Sequence, residues 1–236
     1  MTESEWRKSK DGTRMVRLVA DRLSERKWAL IACGMARRLL GLFSVPVYAD
    51  AIDFAERNAE RSWATQQARK WIEALDAAAD RGRTTIPGTD SRAAMQAHNE
   101  IVAVLYPKQH VRMTFHSTGD QRDAADLLRE QLGNPFRQYT FDPAWRTETV
   151  VALASGIEAD RAFDRMPILA DALEEAGCDE RAMLDHLRGP GPHARGCWVL
   201  DLILNREPEL FALPPLLPTP SRMQLGPHTP PPEGMA

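Results

Sequence analysis

The densest run of chemically capable residues lies between Arg188 and Arg195, where Gly189-Pro190-Gly191-Pro192 is bracketed by Arg188, His193 and Arg195. Proline stiffens such a turn and glycine lets it bend sharply. A helix is expected to follow, from about His193 to Asn205. The free N–H groups at its start would meet the positive end of the helix dipole, with Arg188, His193 and Arg195 around it. That combination suits an anion: a phosphate, a carboxylate or an acidic side chain of a partner. The competing expectation is internal, with both arginines bonding nearby acids such as Asp171, Glu174 or Asp185 and locking helices together.

The same region carries Cys178, His186, His193 and Cys197 in a C-x7-H-x6-H-x3-C spacing. His193 and Cys197 are four apart, which on a helix gives one face to two metal ligands. The other spacings match no zinc motif, so the set is a subsidiary metal candidate and no cofactor is expected. Catalytic residues are not assigned, because H-E-x-x-H, G-x-S-x-G and Cys-x-x-Cys are all missing from the sequence. His98 sits near the apolar stripe of its helix and reads as an edge histidine. Asp201 lies between apolar neighbours and requires a partner, Arg195 or a residue of another helix. A small polar site near His193, Arg195 and Asp201 would be the enzymatic alternative.

Helices must position all of these groups. Behind Ser24, an N-cap residue, Trp28, Ile31, Ala32, Met35, Leu39 and Leu42 recur at helical spacing, and Pro46 ends the run. Met15, Leu18, Val19 and Leu23 mark a shorter helix upstream. Apolar residues from Ile52 to Ala78 fit one long helix or two broken near Ser62, with Gly82 as a C-terminal cap. Asp90 caps a helix reaching Leu105, and Asp120 starts another through Leu132 to Gly133. Val111, Met113 and Phe115 alternate with polar residues, so 108–119 reads as extended. Phe136, Tyr139, Phe141 and Trp145 crowd a loop expected to strap onto the core. Thr147, Asp164 and Asp179 cap three further helices. The reading is an all-α, compact multi-helix bundle over residues 1–206. Residues 207–236 form a proline-rich C-terminal tail, read as disordered: 206–236 hold nine of the seventeen prolines.

The stretch from Gly133 to Glu207 resembles an uncharacterised bacterial family, largely planctomycete. The likeness is carried by Gly133-Asn134-Pro135-Phe136-Arg137, Asp142-Pro143-Ala144-Trp145, the run from Arg161 to Leu173, Gly177-Cys178, and Arg188 through Trp198. Ser24 to Arg38 is similar, more loosely, to the family's N-terminal helix, which is often richer in cysteine. What the resemblance implies is a helical domain, with no activity attached.

Composition narrows the remaining classes. Of 236 residues, 43% are hydrophobic and 27% charged, ordinary globular usage with a net charge of -3. A membrane span needs about 20 apolar residues, and none is found. The polar start of the chain lacks a secretory h-region, and three cysteines make no disulfide framework, so a cytoplasmic protein is expected. Residues 1–40 hold ten Lys or Arg against five acids, while 150–187 hold nine acids against three Arg. Those segments either pack near one another or leave a basic face for an anionic partner. A non-catalytic protein-interaction or scaffold module is therefore the leading expectation, with an unknown protein partner, and the tail would offer a second contact. A nucleic-acid-associated protein using the basic N-terminal helices is the alternative.

Overall fold

Helix signals and stops divide the chain as their chemistry dictates. The computed structural model describes residues 1–59, 65–80, 85–105 and 121–206. Among these, eleven α-helices and four 3-10 turns occur, and the only strand-like pairing is an isolated bridge between Phe43 and Thr85. The fold is all-α, as the periodicity implied. The segment 108–119, Gly82, Asp120 and the proline-rich tail lie outside the described residues. Among the described residues, no helix is long and apolar enough to cross a membrane.

The helices are α1 (Glu3–Lys8), α2 (Gly12–Val19), α3 (Glu25–Arg38), α4 (Val47–Arg57), α5 (Thr65–Asp80) and α6 (Ser91–Ala103). They continue with α7 (Gln121–Leu132), α8 (Glu148–Asp160), α9 (Met166–Glu175), α10 (Arg181–Arg188) and α11 (Trp198–Ile203). Side-chain oxygens accept from the first-turn N–H groups at Asp11, Ser24, Asp90 and Thr147, which satisfies donors the helix itself cannot.

Several boundaries differ from the sequence expectation. The charged N-terminus is a helix: Thr2 and Glu5 form a reciprocal capping box, and Trp6 is buried with its indole N–H donating to the Gly133 carbonyl at 3.0 Å. α3 is shorter than its apolar stripe and passes into a 3-10 turn at Leu40–Leu42. Asp164 sits inside the 3-10 turn Phe163–Arg165 and caps nothing, while Pro167 occupies the first turn of α9. Glu180, not Asp179, caps α10 by accepting from the Ala182 N–H at 3.1 Å. The last helix starts at Trp198 rather than His193, because Gly196 adopts a left-handed φ of 81° that helical geometry forbids.

Three groups of buried side chains make the core. One is built from α8 to α11, a second from α3 to α6, and a third from α1, α2 and α7 with Ile31 of α3. The aromatic loop does strap down: Tyr139, Phe141 and Trp145 pack on the first group and Phe136 on the third. α2 and α7 meet at van der Waals distance because Gly12 has no side chain; a Cβ there would lie 2.4 Å from Ala124 Cβ.

Ionic bonds join the groups. Lys27 of α3 is fully buried, and its ammonium donates to the carbonyls of Gln131 and Gly196 at 2.7 Å each and to Asp201 Oδ2 at 2.5 Å. Arg26 adds a two-pronged bond to Asp201, 2.9 Å to each oxygen. Gly196 is required twice over, since a side chain would face a left-handed backbone and lie 2.8 Å from Leu30 Cδ1. Burial pushes the Asp201 carboxyl up, but the charges and hydrogen bonds of Lys27 and Arg26 outweigh it and hold the group below the usual carboxylate range.

Removing either end leaves the other charge buried without its partner. Lys27→Ala and Asp201→Asn are each expected to cost about 3–5 kcal/mol, read from urea unfolding midpoints. Because the folded Asp201 pKa is depressed, its stabilisation is complete above the unfolded value near about pH 4 and is lost as pH falls through the folded value. Asp201→Asn should flatten that acid limb of the stability profile. An unchanged acid limb would show that the carboxylate is not the group responsible.

Candidate functional site

The turn singled out by the sequence is the rim of a recess of about 310 Å³. Gly189 to Pro192 form one side, Asp126 and Arg129 of α7 the other, and Glu130, His186 and His193 the floor. Pro190, Gly191 and Pro192 are exposed, so the turn is presented outward above a preformed hollow.

The floor is held from several directions. Glu130, 4% exposed, projects from α7 toward the turn. His193 Nδ1 lies 3.1 Å from its Oε2, and the Ala194 N–H donates to its Oε1 at 3.2 Å. His193 Nε2 lies 3.3 Å from the Gly189 carbonyl, so both ring nitrogens face acceptors. Burial lowers the His193 pKa, but the Glu130 carboxylate and the Gly189 carbonyl more than reverse this, and the net displacement is upward. For Glu130, burial raises the pKa and hydrogen bonds from His186 and His193 overcome it, leaving a depressed carboxyl.

His186, from the last turn of α10, places Nε2 3.1 Å from Cys197 Sγ and 3.2 Å from Glu130 Oε2. Its ring is wedged by neighbours, with centroids 5.3 Å from His193 and 5.4 Å from Trp198. Cys197 is fully buried; burial first, then the adjacent Glu130 charge, push its thiol well above the ordinary range. In a thiol–imidazole–carboxylate relay, the base takes the thiol proton on one nitrogen and is oriented through the other. Here both contacts fall on the same nitrogen.

The sequence candidates therefore separate. Of the suggested metal set, His186, His193 and Cys197 come together, and Glu130 joins them. Cys178 does not: its backbone N–H closes the end of α9 on the Leu173 carbonyl, and its side chain packs in the C-terminal core. Of the anion set, each member turns to a different partner. Arg188 bonds Asp171 Oδ1 at 2.8 Å and Glu174 Oε2 at 2.6 Å on the exposed face of α9. His193 bonds Glu130. Arg195 donates to the Ala159 carbonyl at 2.8 Å, and its Nε stands 3.6 Å from Glu56 Oε2. Since α11 starts only at Trp198, the three do not flank a helix N-terminus. Asp201 lies with Arg26 and Lys27 rather than with Arg195.

Two further networks went unread in the sequence. Glu56 accepts from Arg37 Nε and Nη2, one on each carboxylate oxygen, and from Arg161, joining α3, α4 and the end of α8. His98 bridges Tyr48 Oη at 3.0 Å and Asp76 Oδ1 at 3.1 Å, joining α4, α5 and α6. Tyr48 is wholly buried, so this chain of groups is architectural.

No protein-family model, curated protein or solved structure matches the chain.

Glu130→Ala would strip acceptors from His193 and the Ala194 N–H, at an expected cost of about 3 kcal/mol. For a chain of this size that corresponds to a fall in Tm of roughly 6–12 °C. Arg188→Ala, at an exposed pair, should leave Tm unchanged. Differential scanning calorimetry of the two variants checks the contrast, and equal effects would refute the ranking of the buried floor over the exposed Arg188 pair.

Proposed function

We propose that the chain is a non-catalytic helical binding module, with the Gly189–Pro192 turn and the recess behind it as its contact surface for a protein partner. The observation that carries this reading is the recess itself: an outward turn above a hollow whose charged floor is already fixed by bonds from α7, α10 and the turn. A surface ordered in advance loses little conformational entropy on binding. Concave sites with a few convergent polar groups are where ligands are ordinarily held. Asp126 and Arg129 line the rim as a mutual ion pair, with Arg129 also donating to the Trp6 carbonyl, which gives the hollow a fixed polar edge.

Five of the ten cations in the N-terminal third are committed to ion pairs while Arg7, Lys8, Lys10 and Arg17 stay exposed, so fewer are left for nucleic acid and this reading is favoured. Arg26 and Lys27 bond Asp201, Arg37 bonds Glu56 and Asp53, Arg38 pairs with Asp123, and Arg14 pairs with Glu5. Phosphate binding needs several such cations on one free face. A cytoplasmic setting agrees with three buried cysteines that form no disulfide.

Comparative capture from a native cytoplasmic extract tests the surface. Wild type and a rim variant, Pro190→Glu with Asp126→Lys, would be immobilised at equal density after their circular dichroism is matched. The expected result is a protein retained by the wild type and lost from the variant. Identical retained sets would dismiss the recess as the contact surface.

A further inference from the structure

We propose that the floor of the recess is a binding site for one borderline-soft divalent metal ion, best matched by zinc, held by Cys197 Sγ, His186 Nε2 and the Glu130 carboxylate. The three ligand atoms converge from separate elements, α7, α10 and the residue before α11, and lie within 4.8 Å of one another. Zinc bonds of about 2.3 Å to sulfur and about 2.0–2.2 Å to nitrogen and oxygen, arranged tetrahedrally, set ligand-to-ligand separations of about 3.4–3.6 Å. His186 Nε2 stands 3.1 Å from the sulfur and 3.2 Å from the carboxylate oxygen, a few tenths of an ångström short of those separations, and the sulfur and carboxylate lie within 4.8 Å of each other.

The convergence on one nitrogen, unsuited to a proton relay, is what metal coordination requires, because a single lone pair on Nε2 then points at the ion. One thiolate and one carboxylate balance a divalent charge. The thiol proton leaves to solvent as the sulfur–metal bond forms, and His186 binds as neutral imidazole with its proton on Nδ1. Thiolate and imidazole together favour zinc-like ions over magnesium or calcium, which take oxygen ligands.

The surrounding shell is that of a supported ligand set. The Glu130 carboxylate is oriented by the Ala194 N–H and by His193, and His193 is in turn anchored on the Gly189 carbonyl. Glu130 and Cys197 are buried while His186 is 18% exposed where it and Glu130 line the recess, so the hollow provides the access route and leaves a fourth position to water. This inference goes beyond the contact-surface reading, and the two fail separately: partner capture depends on the rim, metal uptake on the floor.

Full-length protein, reduced and freed of metal by chelation, would be dialysed against Zn²⁺ and, separately, titrated with Co²⁺. One equivalent of zinc should remain bound. The cobalt form should show thiolate-to-metal charge-transfer absorption together with the visible bands of a four-coordinate ion. Cys197→Ser should abolish the charge-transfer absorption, and Cys197→Ser and His186→Ala should each weaken zinc binding at least about 100-fold. Cys178→Ser, outside the set, should match the wild type. Circular dichroism reports whether each variant folds; where the ligand variants do not, the cobalt spectra of wild type and Cys178→Ser decide. Lack of zinc uptake, a cobalt spectrum without a thiolate band, or undiminished binding by Cys197→Ser would each overturn the proposal.

Discussion

A fully buried ammonium is the constraint around which this fold is arranged. Placing Lys27 out of water is costly unless every N–H finds an acceptor. Its three acceptors come from residues 131, 196 and 201, far from Lys27 along the chain. The bond set is satisfied only when α3, the end of α7, the turn at Gly196 and α11 are all in place. Those elements belong to different parts of the core, so one side chain enforces the relative placement of groups that apolar packing alone would leave free to slide.

α7 carries two adjacent polar residues with opposite duties. Glu130 turns to the recess, while Gln131 turns inward, receiving Lys27 on its carbonyl and donating from its side chain to the Arg195 carbonyl at 3.0 Å. The segment from His193 to Cys197 mirrors this arrangement. His193 lines the recess, Cys197 meets its His186 from the core side, and Gly196 between them serves Lys27. Recess and buried ammonium thus share one helical turn and one five-residue loop.

Helix positions were legible because apolar residues three and four apart must share a face, and most N-caps carried the oxygen chemistry that a helix start demands. The misses have physical causes. α1 has a single buried residue, Trp6, so it left no stripe, although the capping box of Thr2 and Glu5 was there to read. The start of α11 was misplaced because Pro192 is acceptable in a first helical turn, whereas the left-handed Gly196 that forbids the helix is set by tertiary contact with Lys27 and Leu30. Lys27 itself sits four residues before Ile31, on the apolar stripe, and that spacing was the available sign of its burial. His186, His193 and Cys197 were found from residue type and proximity in sequence. Glu130 was not, because its relation to them spans more than fifty residues. Cys178 was included by the same proximity, yet it faces its own core.

The shared five-residue loop has a thermodynamic consequence. A molecule or ion seated between Glu130 and the turn grips the strand of backbone that also completes the shell of Lys27. By linkage, its affinity for the native form is added to the free energy that separates native from unfolded chains. Occupancy and conformational rigidity become one reciprocal quantity: whatever loosens the interior around residues 27 and 201 weakens the ligand's hold, and the ligand resists that loosening to the same degree.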